Sequence, residues 1–253
     1  MDRPDNFRIK RVEQEAPDIK RFVFDEVIDA EPGQFLMIWV KGVDEIPMSP
    51  SSIDPLEITV RRVGEATKSM FKLEEGDYLG IRGPYGSSFS VNGEKILIVG
   101  GGVGIAPLLP LAKEARDHDL SIGLGALNSD ELIYLDELEG YGDVFVSTED
   151  GSSGYEGYIT EAIEEINKYD SLYACGPEPM LYNLFKQVRE TDIYAEFSLH
   201  RYIKCGVGIC GSCCMDPDGT RLCVDGPIFS KEELVDTEFG EYRRDSSGRK
   251  EYI

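Results

Sequence analysis

Histidine is almost missing from this chain, with 2 in 253 residues, His118 and His200. Neither sits in a pattern that marks an acid, a base or a ligand, so both read as surface or structural residues. Positive charge is also short: 26 Lys and Arg face 48 Asp and Glu, a formal net charge of −22. That balance excludes nucleic acid and anionic membrane surfaces as expected partners. The acidity is spread along the chain and reads as a solvated, repulsive surface. No run approaches the roughly 18 apolar residues of a membrane span. The opening MDRPDNFRIK lacks the apolar core of a secretory leader, and the expected location is the cytoplasm. Repeats and low-complexity tracts are missing too.

Cysteine is scarce, but it is not scattered. Of 6 cysteines, five crowd into residues 205–223 as Cys205-Gly-Val-Gly-Ile-Cys210-Gly-Ser-Cys213-Cys214 and then Cys223. That fits metal ligation in a reducing compartment better than a disulfide framework. Cys205, Cys210, Cys213 and Cys223 give C-x4-C-x2-C-x9-C, the spacing of a plant-type 2Fe-2S loop with a short return to the fourth ligand. A structural zinc site or a group of buried thiols is the alternative. Zinc sites bring cysteines as two well-separated C-x2-4-C pairs, whereas here only one C-x2-C step exists. Gly206, Gly208 and Gly211 permit positive φ and let N–H groups approach cluster sulfurs. Cys214 is surplus, because using it in place of Cys213 stretches the middle spacing.

The chain changes rhythm near Asn92-Gly93. Before it, Phe7–Val12, Ile19–Phe24, Gln34–Val40 and Leu56–Val63 are short β-rich runs bounded by Pro and Gly, with one helix over Ala66–Leu73. They predict a small antiparallel barrel over residues 1–92. After it, strands at Lys95–Val99, Leu120–Leu127, Val144–Ser147 and Ser171–Ala174 alternate with helices at Ala106–Arg116, Ile133–Leu138, Thr160–Asn167 and Glu178–Arg189. This alternation predicts βαβ units and a Rossmann-like parallel sheet over residues 93–200. The cysteine loop then fills residues 201–236, and 237–253 reads as a loosely held polar tail. The expected fold is therefore multi-domain, β followed by α/β, with a small C-terminal cluster domain.

Val99-Gly100-Gly101-Gly102-Val103-Gly104-Ile105-Ala106-Pro107 stands where a strand passes into a helix, where N–H groups and the helix dipole suit a phosphate. It is not G-x-G-x-x-G, because Ile105 takes the third glycine's place; a plain Gly-rich turn is the other reading. Pro107 suits a first helical turn, while Pro110 should cost a hydrogen bond or a mild kink. Thr148-Glu-Asp150-Gly151-Ser-Ser-Gly154 and Cys175-Gly176-Pro177-Glu-Pro179-Met180 lie at later strand ends, so all three turns should rim one crevice. Cys175 reads either as a buried thiol or as a nicotinamide-facing one. After the second sheet strand, Leu127-Asn128-Ser-Asp130 offers no arginine for a 2′-phosphate, and Asp130 suits a ribose hydroxyl, which favours NAD over NADP.

The order of barrel, GGGVGIAP, DGSSG, YACGPEPM and CGVGICGSC resembles the electron-transfer subunits of dihydroorotate dehydrogenase B, within the ferredoxin–NADP reductase superfamily. The likeness runs from about Phe7 to Phe229. It implies an FAD-binding barrel, an NAD domain and a 2Fe-2S domain. Electrons would come from a separate FMN-containing catalytic subunit, in a heterotetramer with two of each chain, and serve pyrimidine biosynthesis. The family's Arg-Pro-x-Ser flavin motif is matched by Ile46-Pro47-Met48-Ser49, with Ser49 approaching the flavin ring. Ile46 replaces the arginine that faces the FAD diphosphate, and Arg61 or Arg62 of Val60-Arg61-Arg62 is the expected substitute. Gly64-Glu-Ala66-Thr67 is similar to the family's Gly-Thr helix start, with Thr67 as N-cap, although a plain cap would look the same. By the same resemblance Gly100, Gly101, Gly102, Gly104, Asp150, Gly151, Cys175, Gly176 and Pro177 bind NAD. No side chain is expected to be a general base. A sulfhydrogenase- or ferredoxin-linked NAD(P) reductase subunit would share these modules, and a zinc-stabilised nucleotide-binding regulator is the reading from another class.

Overall fold

The computed structural model describes residues 3–253. Its first half is a seven-stranded antiparallel sheet built from β1 (Asp5–Ala16), β2 (Ile19–Phe24), β3 (Phe35–Val40), β4 (Asp44–Met48), β5 (Pro50–Ile53), β6 (Leu56–Arg61) and β7 (Tyr78–Tyr85). The order is β4-β3-β7-β1-β2-β6-β5. The two edge strands, β4 and β5, are consecutive in the chain and joined by Ser49 alone, so the sheet curls into a barrel with an unpaired seam. Alternation puts Leu36, Ile38, Val40, Ile58, Val60, Leu79 and Ile81 inside, and α1 (Glu65–Met70) plugs one end with Met70. Burying a side chain of that size is worth about 2 kcal/mol. On β3 the outward residues Phe35 and Met37 are buried as well, in the core of the second half.

That second half is a sheet of order β11-β10-β9-β8-β12-β13-β16. β8 (Lys95–Gly101), β9 (Asp119–Ala126), β10 (Asp143–Thr148), β11 (Tyr155–Glu156), β12 (Ser171–Cys175) and β13 (Tyr194–Ser198) run parallel. Helices α2 (Leu109–Glu114), α3 (Leu135–Glu139), α4 (Ile159–Ala162) and α5 (Glu178–Val188) connect them. The helix expected over Ala106–Arg116 is divided: residues Gly102–Leu108 form a 3-10 helix, and Pro110 occupies the first turn of α2. A proline there has no N–H to lose, which is how the chain avoids the expected kink. The helix expected over Thr160–Asn167 is only α4 and a 3-10 turn at Ile166–Lys168.

Two features differ from the modular reading of the C-terminus. The cysteine segment contains the hairpin β14 (Cys214–Met215) and β15 (Thr220–Arg221) and the short α6 (Leu222–Asp225). It then returns as β16 (Ile228–Ser230), which pairs antiparallel with β13, so the cluster segment is an excursion from the nucleotide sheet. Residues 237–253 are not loosely held. Phe239 packs within 5.6–6.2 Å of the rings of Tyr182, Phe185 and Phe197, and β17 (Tyr242–Arg244) and β18 (Lys250–Tyr252) close a hairpin. Tyr242 and Arg244 bind Asp216, each at 2.6 Å, fixing that hairpin to the cysteine segment.

Candidate functional site

Numbered from β8, the parallel strands run 4-3-2-1-5-6, so their order reverses between β8 and β12. A ligand crevice opens outside the carboxyl ends of such a pair. Gly100 and Cys175 are register partners there. Close approach requires glycine at 101 and 104, whereas Gly102 takes a φ of +53° with no atom in close approach. A Cβ on Gly104 would stand 2.6 Å from the Cys175 carbonyl oxygen, and one on Gly101 2.7 Å from Met180 Sδ and Pro177 Cδ. Gly176 is equally tight against Met180 and Gly101. The first and last Gly-rich turns therefore meet backbone to backbone, floored by Gly100 with Gly102 at the open rim. The turn with Asp150 and Gly151 lies two strands away on the same edge. Asp150 accepts from Ser152 N and Oγ, and Ser152 Oγ in turn accepts from Ser129 N, tying the β10 loop to the β9 loop near Asp130. Those bonds hold the Asp150 carboxyl below its ordinary range. Cys175 is fully buried, and burial pushes its thiol up to about 11, so it stays neutral and packs.

β5, one edge of the barrel seam, and its neighbour β6 pack against the first Gly-rich turn. Ile46 and Met48 pack on the barrel core, Pro47 pairs with Met37 on the outer face, and Ser49 is the single-residue link to β5. Val60 points into the barrel core. The two arginines that follow diverge. Arg61 pairs with Asp18 and Glu131, and its Nη1 lies 3.8 Å from where a Gly102 Cβ would be, so its charge is beside the first Gly-rich turn. Arg62 instead turns to Phe71, 5.2 Å from the ring, beside Lys20 and Lys68. Thr67 is not the N-cap of α1. Gly64 is, and Thr67 at the third helical position accepts from the N–H groups of Val63 and Gly64, both at 2.9 Å, with Ala66 buried beside it. The wall opposite is tied by Thr59, which donates to Ser51 at 2.9 Å and bonds Tyr134 at 2.5 Å.

The cysteine loop lies over the outer face of the barrel. Gly206, Gly208 and Gly211 take φ of +72°, +74° and +72°, turning successive N–H groups inward. Val207 and Ile209 donate to Cys205 Sγ at 3.5 and 3.4 Å, and Gly208 donates to Cys223 Sγ at 3.2 Å. Burial pushes the Cys205 thiol up, but the N–H groups of Cys210, Val207 and Ile209 outweigh it and bring it down to about 6. Burial and the neighbouring Cys213 push Cys223 up to about 12. Cys210 stands near Cys205, and both Cys213 and Cys205 stand near Cys223, so the four thiols gather round one loop. Among the described residues no three His, Cys, Asp or Glu side chains converge as one ion would require. Four thiols suit two irons, each held by two thiolates. Soft thiolate donors on a loop whose N–H groups face the sulfurs suit iron, so the donor set fits the cluster. Cys210 is exposed at the rim with Ile209.

Residues that sequence reasoning missed join these parts. Arg82 of β7 donates to the Cys205 carbonyl at 3.0 Å; its signal was a lone arginine among the apolar residues of a strand. Arg201 is buried between Glu178 at the nucleotide turn and Glu238 near the C-terminus. No local pattern announces it, because its partners lie 23 and 37 residues away. His118 Nδ1 donates to the Gly93 carbonyl at 3.0 Å, a structural bond.

A seamed barrel, a switch-point crevice and a four-thiol loop define a flavin- and nucleotide-dependent iron–sulfur reductase of the ferredoxin–NADP reductase type. Residues 98–184 match the oxidoreductase NAD-binding domain, and residues 200–235 match the iron-sulfur cluster binding domain of dihydroorotate dehydrogenase B. The probable dihydroorotate dehydrogenase B (NAD(+)) electron transfer subunit of Methanocella arvoryzae is 44% identical, over 99% of this chain and 100% of its own length. Its counterpart in Methanocaldococcus jannaschii is 43% identical over 100% of both. Among solved structures, the NADH-dependent reduced ferredoxin-NADP oxidoreductase studied for flavin-based electron bifurcation superposes with a TM-score of 0.81 at 31% identity, covering 90% of this chain and 88% of that one. The chain belongs to the family of dihydroorotate dehydrogenase B electron-transfer subunits.

Proposed function

We propose that this chain links an FMN-containing, dihydroorotate-oxidising catalytic subunit to NAD+ in the cytoplasm, two copies of each chain forming the assembly. When bound, the 2Fe-2S cluster supplies single-electron exchange, FAD both one- and two-electron exchange, and NAD the hydride acceptor. Cys205, Cys210, Cys213 and Cys223 hold the cluster, and the N–H groups of residues 207–209 stabilise negative charge on the sulfurs. Pro47 and Met48 shape the flavin pocket, and Ser49 offers its hydroxyl at the seam. Arg61, in place of the arginine missing at position 46, supplies the cation near the diphosphates. Gly100, Gly101, Gly102 and Gly104, facing Cys175, Gly176 and Pro177, leave a backbone-lined cleft thin enough for nicotinamide to reach the flavin while water is excluded. Asp130 takes the ribose.

The observation that carries this reading is a loop of four thiols, with three backbone N–H groups aimed at their sulfurs, packed against the barrel. Its test is the visible spectrum of anaerobically purified chain, with iron and flavin quantified, before and after NADH. Two irons and one flavin per chain, bleached by NADH, are expected; zinc with no NADH response overturns the reading. The solved neighbour in electron bifurcation favours a ferredoxin-linked reductase as the second reading. Reconstitution separates the two, since only the first gives NAD-linked dihydroorotate oxidation when the FMN subunit is added. The isolated chain should show none.

A further inference from the structure

β3 is the middle strand of the barrel wall that meets the cluster loop. Met37 is the register partner of Pro47 on β4 and of Arg82 on β7, so the three share the outer face, with Glu45 two residues before Pro47. The cluster loop sits on that face. A Cβ on Gly206 would be 3.0 Å from Met37 Cγ and 3.6 Å from Arg82 Nη1. Met37 thus touches the loop that carries Cys205 and is the cross-strand neighbour of Pro47.

Arg82 makes the polar half of this contact. Its side chain is 4% exposed. Nε and Nη2 grip Glu45 at 2.7 and 2.6 Å, Nη1 donates to the Tyr85 hydroxyl at 3.0 Å, and Nη2 also donates to the Cys205 carbonyl at 3.0 Å. The guanidinium lies 5.3 Å from the Tyr85 ring. A buried guanidinium is costly unless its donors are matched, and here four bonds match them, three to the barrel and one to the cluster loop. The fork geometry makes the arrangement directional, which a lysine could not reproduce.

Resting on the cluster and flavin assignments above, we propose that Arg82 is a positioning residue for electron transfer: it fixes the Cys205 turn against the flavin-bearing edge of the barrel, and with Glu45 it sets the charge felt by the cluster. The two partners act with opposite sign. Removing the cation while Glu45 remains leaves negative charge near the thiolates and makes the cluster harder to reduce. Removing the Glu45 charge while Arg82 remains makes it easier. A unit charge one side chain away in a partly buried site is worth more than a factor of ten.

The test compares Arg82→Met, Arg82→Lys and Glu45→Gln with wild type for iron and flavin content, the paramagnetic spectrum of the reduced cluster, its midpoint potential, and the rate of cluster reduction after NADH is mixed in. Arg82→Met should lower the cluster's reduction equilibrium at least tenfold, about 59 mV for one electron. It should also slow cluster reduction at least tenfold, with flavin content kept. Glu45→Gln should shift the equilibrium tenfold the other way, and Arg82→Lys should restore the potential but not the rate. Glu45→Gln also serves where Arg82→Met does not fold, because it keeps the bond to Cys205. Unchanged potential, spectrum and rate in iron-loaded variants overturn the role of Arg82. Wild-type chain without iron overturns the cluster assignment itself.

Discussion

Arg201→Met tests the buried ion group that joins the nucleotide turn to the C-terminal segment. The Arg201 side chain is 2% exposed, Glu178 9% and Glu238 0%. Arg201 spans both carboxylates, with Nη1 and Nη2 on Glu178 at 2.7 and 3.0 Å and Nε on Glu238 at 3.0 Å. Each carboxylate also accepts one backbone N–H, Gly240 on Glu178 and Asp216 on Glu238, both at 3.1 Å. Those two bonds do not neutralise two charges. Methionine fills the volume but strands both carboxylates, and breaking a buried pair in this way costs 3–5 kcal/mol, or about 4 kcal/mol here. For a chain of this size 1 kcal/mol moves the melting temperature by about 2 °C, so calorimetry should show a fall of roughly 8 °C. A double-mutant cycle with Glu238→Gln sharpens the test. In the Arg201→Met background the amide removes a stranded charge, so its cost should shrink by about 1 kcal/mol or more relative to wild type. A loss under about 1 kcal/mol for Arg201→Met, or an additive cycle, refutes the reasoning.

Gly104→Ala should abolish NADH bleaching while iron content stays whole, because its Cβ meets the rigid Cys175 carbonyl at 2.6 Å; stopped-flow absorbance reads both. Cys213→Ser should lose iron, whereas Cys214→Ser should keep it, as metal analysis of the two purified variants will show. Glu196 bonds Ser90 N at 2.9 Å and the Tyr194 hydroxyl at 2.5 Å, and burial raises its pKa above the ordinary 4.5. A carboxyl raised on folding adds stability below its unfolded pKa and loses it as pH rises through the folded value. Glu196→Gln should therefore track wild type near pH 4 and gain on it towards pH 7 in urea titrations.

The alternating strands and helices of the second half were legible because apolar runs such as Lys95–Val99 and the periodic Glu178–Arg189 each carry one period clearly. β4 and β7 were not, because Pro47 in one and Gly80, Gly83 and Pro84 in the other are turn signals that the barrel uses inside strands, at its seam and bulge. β13 hid behind Glu196, a charge that reads as solvent-facing until Ser90 and Tyr194 are seen around it. The Gly-rich turns and the cysteines of the loop sit in contiguous sequence, so their chemistry shows locally. Arg82 and Arg201 gain meaning only from partners brought in by tertiary folding. Phe35-Leu-Met-Ile-Trp-Val40 lacks polar alternation, as a strand covered on both faces over most of its length does.

The return of β16 to the edge of the nucleotide sheet has a consequence for how such proteins are assembled by recombination. An iron–sulfur unit added as a tail could be exchanged by a single splice after residue 200. Here both ends of the unit are strands of a neighbouring layer, so a single crossover leaves one half of a ladder without its complement. The cluster segment is transferable only as a cassette that carries β13 and β16 with it, or by two crossovers that respect their register.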